Sequence, residues 1–329
     1  MGLITKIKPI KVVDDKIEKE SQGFQLYFAG SLNSAFESYL RENGANRLGS
    51  QLLDRNVVRG WIEARREGHA KGKLFVDSGA FSAHTRGVEV DVDAYIKYLN
   101  SIDHELHIYA QVDKIPGVYR ETKTPQQLAE APDVSWQNYL YMRCRVQSPK
   151  KLLPIFHQGE DFRWLDNMLE WVDENGEHIP YIGISPANDQ PVKEKEKFID
   201  KCFKIIAKSS NPKVQTHAFG MTSLHVLERY PFTSADSTSW IINGANGGIM
   251  TKYGTVTLSS NRLNSPDHMR KMPKDAQQEI QNYVESHGYT MERLEDDYKY
   301  RIVFNIQYLL EWAKNYKYVP SDVRRRPLF

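Results

Sequence analysis

The chain has 329 residues, with 44 Lys and Arg against 42 Asp and Glu, for a formal net charge of +2. That balance excludes an acidic tail or a histone-like polycation, so any nucleic-acid affinity must come from local patches. Two cysteines, Cys144 and Cys202, exclude a disulfide framework and a Cys-rich structural zinc site, and they fit a reducing compartment.

The length suits two ordinary domains or one large α/β barrel. Residues 1–24 read as a polar arm. They lack the apolar core and cleavage site of a signal peptide, and Lys6 stands where a myristoylation signal wants Ser or Thr. Nowhere do roughly 18 uncharged apolar residues run together, so a soluble cytoplasmic protein with no membrane partner is expected. Apolar runs rich in β-branched and aromatic types predict strands at 25–30, 74–80, 107–113, 152–157, 179–185, 214–219, 232–237 and 248–259. Helix-compatible segments lie between most of them, at 92–101, 135–145, 162–175, 192–208 and 223–229. Eight strands alternating with helices predict an α/β protein, a (β/α)8 TIM-like barrel over 25–260. Few residues separate Ser237 from the last strand, so its final unit should be irregular. Residues 261–329 read as a C-terminal helical extension, with helices at 277–286 and 301–315. The second of these has Ile302, Ile306, Leu309, Leu310 and Ala313 on one face, and Arg324, Arg325 and Arg326 follow near the end.

In such a barrel the chemistry sits on the loops at the C-terminal strand ends. Those ends carry Asp77, Ser78 and Gly79; then Asp113; then His157, Gln158 and Gly159. They continue with Gly183, Ile184 and Ser185, with Phe219 and Gly220, and with Asp236, Ser237 and Thr238. One carboxylate at a strand end often only caps the next helix; three directed at one mouth point to acid–base or nucleophilic work. Asp77 emerges where Ser78 and Gly79 turn the backbone. Phe81 beside it is either an ordinary core aromatic or a flat face for a planar heterocycle. His157 and His217 raise a metal, but no His–Glu helix pair or Cys cluster supports one, so hydrogen-bonded wall residues are expected, with no metal and no cofactor. Cys144, between Arg143 and Arg145, is expected to be a buried, inert thiol. No Gly-rich phosphate loop follows a strand.

The string DSGAF at 77–81 resembles the Asp-Ser-Gly-Gly-(Phe/Tyr) motif of the tRNA-guanine transglycosylases. Similar strings follow in the same order: QVD at 111–113, HQG at 157–159, IGIS at 182–185, FG at 219–220 and Asp236 in the seventh predicted strand. Together they span about 25–260. The resemblance implies Asp236 as nucleophile and Asp77 as general acid/base. It further implies that Asp113 and Gln158 read the base edge, that the Gly183 N–H reaches the guanine O6, and that Phe81 stacks on the ring. Ser78, Ile184, Phe219 and Gly220 would complete the pocket, and Ser185 and His217 are further candidates for contacts to the base substituent. The family's Cys-x-Cys-x-x-Cys and His zinc subdomain is missing, since no cysteine follows Cys202. The segment after Asp236 reads STSW rather than the Thr-Arg-x-Gly-Arg of the tRNA enzymes. In these respects the chain is more similar to the DNA-acting branch, found in bacteriophages and bacterial DNA-modification clusters, which exchanges guanine for a 7-deazaguanine.

The expected partners are therefore DNA, flipped or single-stranded, and a free 7-deazaguanine base such as preQ0 or preQ1; an oligomer is compatible. Arg143, Arg145, Lys150 and Lys151, with Arg262, Arg270, Lys271 and Lys274, are the candidate cations for the strand. Trp240 and Tyr253 would stack on flanking bases or pack in the core. Three alternatives stay open: the same exchange on tRNA or another RNA, a non-catalytic nucleic-acid-binding barrel, and a metal-dependent hydrolase.

Overall fold

The computed structural model describes residues 23–30, 33–118, 121–187, 190–221 and 223–318. Most of the expected N-terminal arm, at 1–22, and the three arginines at 324–326 lie outside the described residues. Nine strands form one parallel sheet: β1 Gln25–Phe28, β2 Asn46–Ser50, β3 Leu74–Asp77, β4 Ile108–Ala110, β5 Leu152–Leu153, β6 Ile155–His157, β7 Tyr181–Ser185, β8 Gln215–Ala218 and β9 Ser234–Ser237. Their order is β5-β4-β3-β2-β1-β9-β8-β7-β6. The two edge strands, β5 and β6, are consecutive in the chain and separated only by Pro154, so the sheet is nearly closed into a barrel. At this seam the Gln111 N–H donates to the Leu153 carbonyl and the Gly183 N–H to the Pro154 carbonyl, at 3.1 and 2.7 Å. Pro154 itself has no donor to offer either neighbour.

Two strand expectations are corrected. The run at 248–259 is not a barrel strand: it folds as an antiparallel hairpin, β10 Gly248–Thr251 with β11 Gly254–Thr257, outside the parallel sheet. The chain reverses at Lys252 and Tyr253, so Thr251 faces Gly254. The missing barrel strand is β2, with the sequence NRLGS, which contains no β-branched residue. Its Arg47 is fully buried and would be prohibitive there unless paired. Glu37, on the helix Ser34–Glu42, supplies the partner at 3.0 Å, Trp61 donates to the same carboxylate, and Arg47 also donates to the Phe28 carbonyl.

Alternate strand residues face the interior or the surrounding helices. Tyr27, Leu48, Phe75, Ile108, Leu153, Ile155 and Tyr181 form a small inner core. Leu26, Phe28, Leu74, Val76, Ile182 and Ile184 belong to the larger core beneath the helices. Helices Val92–Ile102 and Val192–Ile206 fall where their periodicity predicts. Helix Pro125–Arg143 begins earlier than expected, under a capping box made by Thr124 and Gln127. In the extension, helix Tyr298–Lys314 packs on Ser239–Ala245 and adds Ile302, Ile306 and Leu309 to the larger core, with Leu310 and Ala313 half-buried against it. Among the described residues no helix is long and apolar enough to cross a membrane.

Candidate active site

Parallel strands gather their C-terminal ends on one rim. There Asp77 at the end of β3, Asp113 beyond β4 and Asp236 in β9 line a single cavity of about 260 Å³. Ser78, Phe81, Phe219 and Gly220 line it too, together with His157 and Ser185. Phe81 is 59% exposed, so it is not a core aromatic: it stands at the cavity wall. Ser78 is buried, and its Oγ accepts from the Ala80 N–H at 3.3 Å.

The turn after β3 sets Asp77. Gly79 sits at φ +79°, where a Cβ would lie 2.6 Å from Ser50 Oγ and 2.8 Å from Leu52 Cβ. Its N–H donates to Asp77 Oδ2 at 3.0 Å. Gly79→Ala combines left-handed backbone strain with overpacking, and should cost about 2–4 kcal/mol in urea unfolding. A loss below about 0.5 kcal/mol would mean that the turn relaxes freely. Burial, opposed by the Gly79 N–H and reinforced by the charges of Asp113 and Asp236, pushes the Asp77 carboxyl up to about 7. Asp77 can therefore both give and take a proton near neutrality.

Asp113 is held at both oxygens. Gln111 Nε2 donates to Oδ1 at 2.7 Å, and His157 Nε2 lies 3.3 Å from Oδ2. The other ring nitrogen of His157 faces Glu160 at 3.2 Å, and Glu160 also accepts the His157 backbone N–H. Burial works against an imidazolium here, but the carboxylates of Asp113 and Glu160 outweigh it and hold His157 protonated, pushed up to about 10. His157 is thus the hydrogen-bonded wall residue expected. Asp236 accepts the Gly220 N–H on Oδ1 at 2.8 Å, and His217 Nε2 lies 3.3 Å from the same oxygen. Oδ2 makes no hydrogen bond to any described residue, which leaves one oxygen of a buried, oriented carboxylate unengaged.

Several expected site residues are not brought to the cavity. Gln158 is absent from its lining: the carboxamide accepts from the Ala187 N–H and donates to the Glu194 carbonyl, tying down the loop after β7. The Gly183 N–H is spent on the Pro154 carbonyl, so it has no donor for a base. Gly183 is required for another reason, since a Cβ there would lie 2.5 Å from the Phe219 ring. Ile184, one residue further on, points outward into the larger core by strand alternation. His217 stands behind Asp236, fully buried, rather than in the lining. Trp240 is fully buried, and Tyr253 donates to Glu279 at the hairpin turn.

The first group of expected cations is at the wrong end. Arg143, Arg145, Lys150 and Lys151 precede β5, on the rim opposite the acids. Arg143 is buried against Asp173 and Trp171, Arg145 stacks on Tyr141, and Lys150 and Lys151 pair with Glu177 and Asp103. In the second group Arg262 donates to Asn246, a helix length away from Asp236, Arg270 faces Glu295, and Lys271 donates to the Asn264 carbonyl. Cys144 is exposed rather than buried: the helix ends at Arg143 and leaves Cys144 on its outer cap. Glu160 escaped the sequence reading, although its spacing of three residues from His157 was visible.

Among the described residues no group of three or more His, Cys, Asp or Glu is arranged to hold a metal. A second cavity, of about 250 Å³, lies between the hairpin and the C-terminal helices, lined by Tyr253, Tyr283, Phe304, Tyr308 and Trp312. Its two carboxylates are already engaged, Glu279 by Lys252 and Tyr253, Glu311 by Tyr283 and His287. No protein-family model matches the chain, and no curated protein is significantly similar to it.

Proposed function

We propose that this protein is a base-exchange transglycosylase on a closed (β/α)8 barrel. It replaces guanine in a nucleic acid, DNA by its sequence motifs, with a 7-deazaguanine through an aspartyl-glycosyl intermediate. The observation that carries the reading is the convergence of Asp77, Asp113 and Asp236 on one cavity with the exposed Phe81 at its wall. At about 260 Å³ that cavity is smaller than the roughly 300–1,000 Å³ typical of drug-sized ligands, and it suits a single planar base.

In this mechanism the base stacks on Phe81, and Asp113, held by Gln111 and His157, accepts two N–H groups from the guanine edge, a contact adenine cannot match. Asp236 Oδ2 attacks C1′ as the bond from C1′ to the base nitrogen breaks. The electron pair leaves with guanine, which takes the proton of Asp77. The incoming base then returns a proton to Asp77 and attacks C1′, and the electrons of the sugar–oxygen bond go back to Asp236. The sugar configuration is retained by double displacement. A 7-deazaguanine lacks N7 as a protonation site, so the product re-enters the reaction more slowly than guanine. The target nucleotide must leave any duplex at a cost of a few kcal/mol. Lys123, exposed on the loop after β4, is the cation offered to its flanking phosphates, since Lys114 on the same loop is paired with Glu89.

The test is release of labelled guanine from single-stranded DNA, duplex DNA and tRNA on addition of preQ0 or preQ1. Release from DNA is expected. Release confined to tRNA would assign the same chemistry to RNA, and no release from any of the three would overturn the reading.

A further inference from the structure

We propose that His217, Ser234 and Tyr181 form a buried hydrogen-bond relay that orients Asp236 and selects Oδ2 as its attacking oxygen; this rests on the reading of Asp236 as nucleophile. Parallel pairing sets His217 on β8 opposite Gly183 on β7 and opposite Ser234 on β9, two residues before Asp236. His217 Nδ1 lies 2.6 Å from Ser234 Oγ, and that hydroxyl meets the Tyr181 hydroxyl on its other side. All three residues are buried, and rings of Tyr27, Phe75 and Phe219 meet the imidazole edge to face at 4.5–6.0 Å.

Donor and acceptor roles follow from the end of the chain. A carboxylate only accepts, so Nε2 must carry the imidazole proton toward Asp236 Oδ1. In a neutral ring Nδ1 then accepts, so Ser234 donates to it and takes the Tyr181 hydroxyl proton in turn. Burial supports that neutral form by lowering the imidazole pKa, against the raising effect of Asp236. Every polar hydrogen of the relay points toward Asp236. When Oδ2 attacks, Oδ1 becomes the ester carbonyl oxygen. When the intermediate breaks down, charge returns to Oδ1, where the Gly220 N–H and the His217 N–H await it. His217 is therefore a positioning residue, and its donor should matter most in the second half-reaction.

Two measurements test this. In single-turnover assays of the full chain with guanine-containing DNA, His217→Leu should slow breakdown of the protein–nucleic acid adduct by about a hundredfold, and more than it slows adduct formation. His217→Gln, which keeps a donor near the Nε2 position, should recover at least about tenfold of that loss. Wild-type breakdown rates in His217→Leu, or a Gln variant no better than Leu while both stay folded, would overturn the proposal. The second readout needs no activity: ¹⁵N NMR of the imidazole at pH 7 should show the Nε2–H tautomer in the wild type and in Ser234→Ala, where Asp236 still fixes the proton, with the Nδ1 resonance shifted in the variant by loss of its donor. An Nδ1–H tautomer in the wild type would refute the relay even if the base-exchange reading stands. The expected tautomer with no adduct on any nucleic acid would instead reject the reaction and leave the hydrogen-bond order intact.

Discussion

Asp236→Asn is expected to reduce base exchange by about 10⁴- to 10⁶-fold and to abolish the denaturation-resistant adduct, because the amide cannot form the glycosyl ester. The fold should survive, since Asn still offers an oxygen to the Gly220 N–H that now reaches Asp236 Oδ1 at 2.8 Å. Trapping the adduct on guanine-containing DNA and resolving it on a denaturing gel measures the outcome. Equal adduct yields from wild type and variant would remove Asp236 from its role. Retained exchange without an adduct would point to direct displacement.

Asp77→Asn should move stability and activity in opposite directions. The Asp77 carboxyl is raised from an ordinary value of 3.8 to about 7 by burial and by its two neighbouring acids. Between those values the folded protein binds a proton that the unfolded chain has released, so folding weakens as pH rises through this window. Asn carries no such charge and still accepts the Gly79 N–H. The variant should therefore match the wild type near pH 4 and exceed it by about 3–4 kcal/mol above pH 7.5, as read by urea unfolding across pH. A pH-independent difference would show that Asp77 titrates normally. Adduct formation should fall in the wild type as pH rises above about 7, when the leaving base loses its acid. In Asp77→Asn it should be about 10²- to 10⁴-fold slower and flat with pH.

The acid at each strand end was legible because the signal is local: an apolar run such as LFV at 74–76 ends in a polar residue and a turn, as Asp77, Ser78 and Gly79 do. The same locality misled the reading at 248–259, where a β-rich run is a hairpin, and at 46–50, where a barrel strand carries Arg47. Gln158 and Gly183 illustrate a further limit. A donor or acceptor is available to a ligand only if the fold has not already used it, and both are used by backbone partners distant in sequence.

By itself, then, the sequence determined the alternation of strands and helices, the parallel sheet that follows from it, and the residue types at its C-terminal rim. Periodicity and turn chemistry act over a few residues and need no partner. Only the tertiary structure decided that β2 completes the sheet, that Arg143 and Lys151 are already paired with Asp173 and Asp103, and that Asp77 titrates near 7. Each of these depends on a charge and the low-dielectric surroundings that other segments build around it: Glu37 for Arg47, Asp173 for Arg143, Asp113 and Asp236 for Asp77. The free energy of a buried charge is a property of its neighbours, which the order of residues along the chain does not reveal.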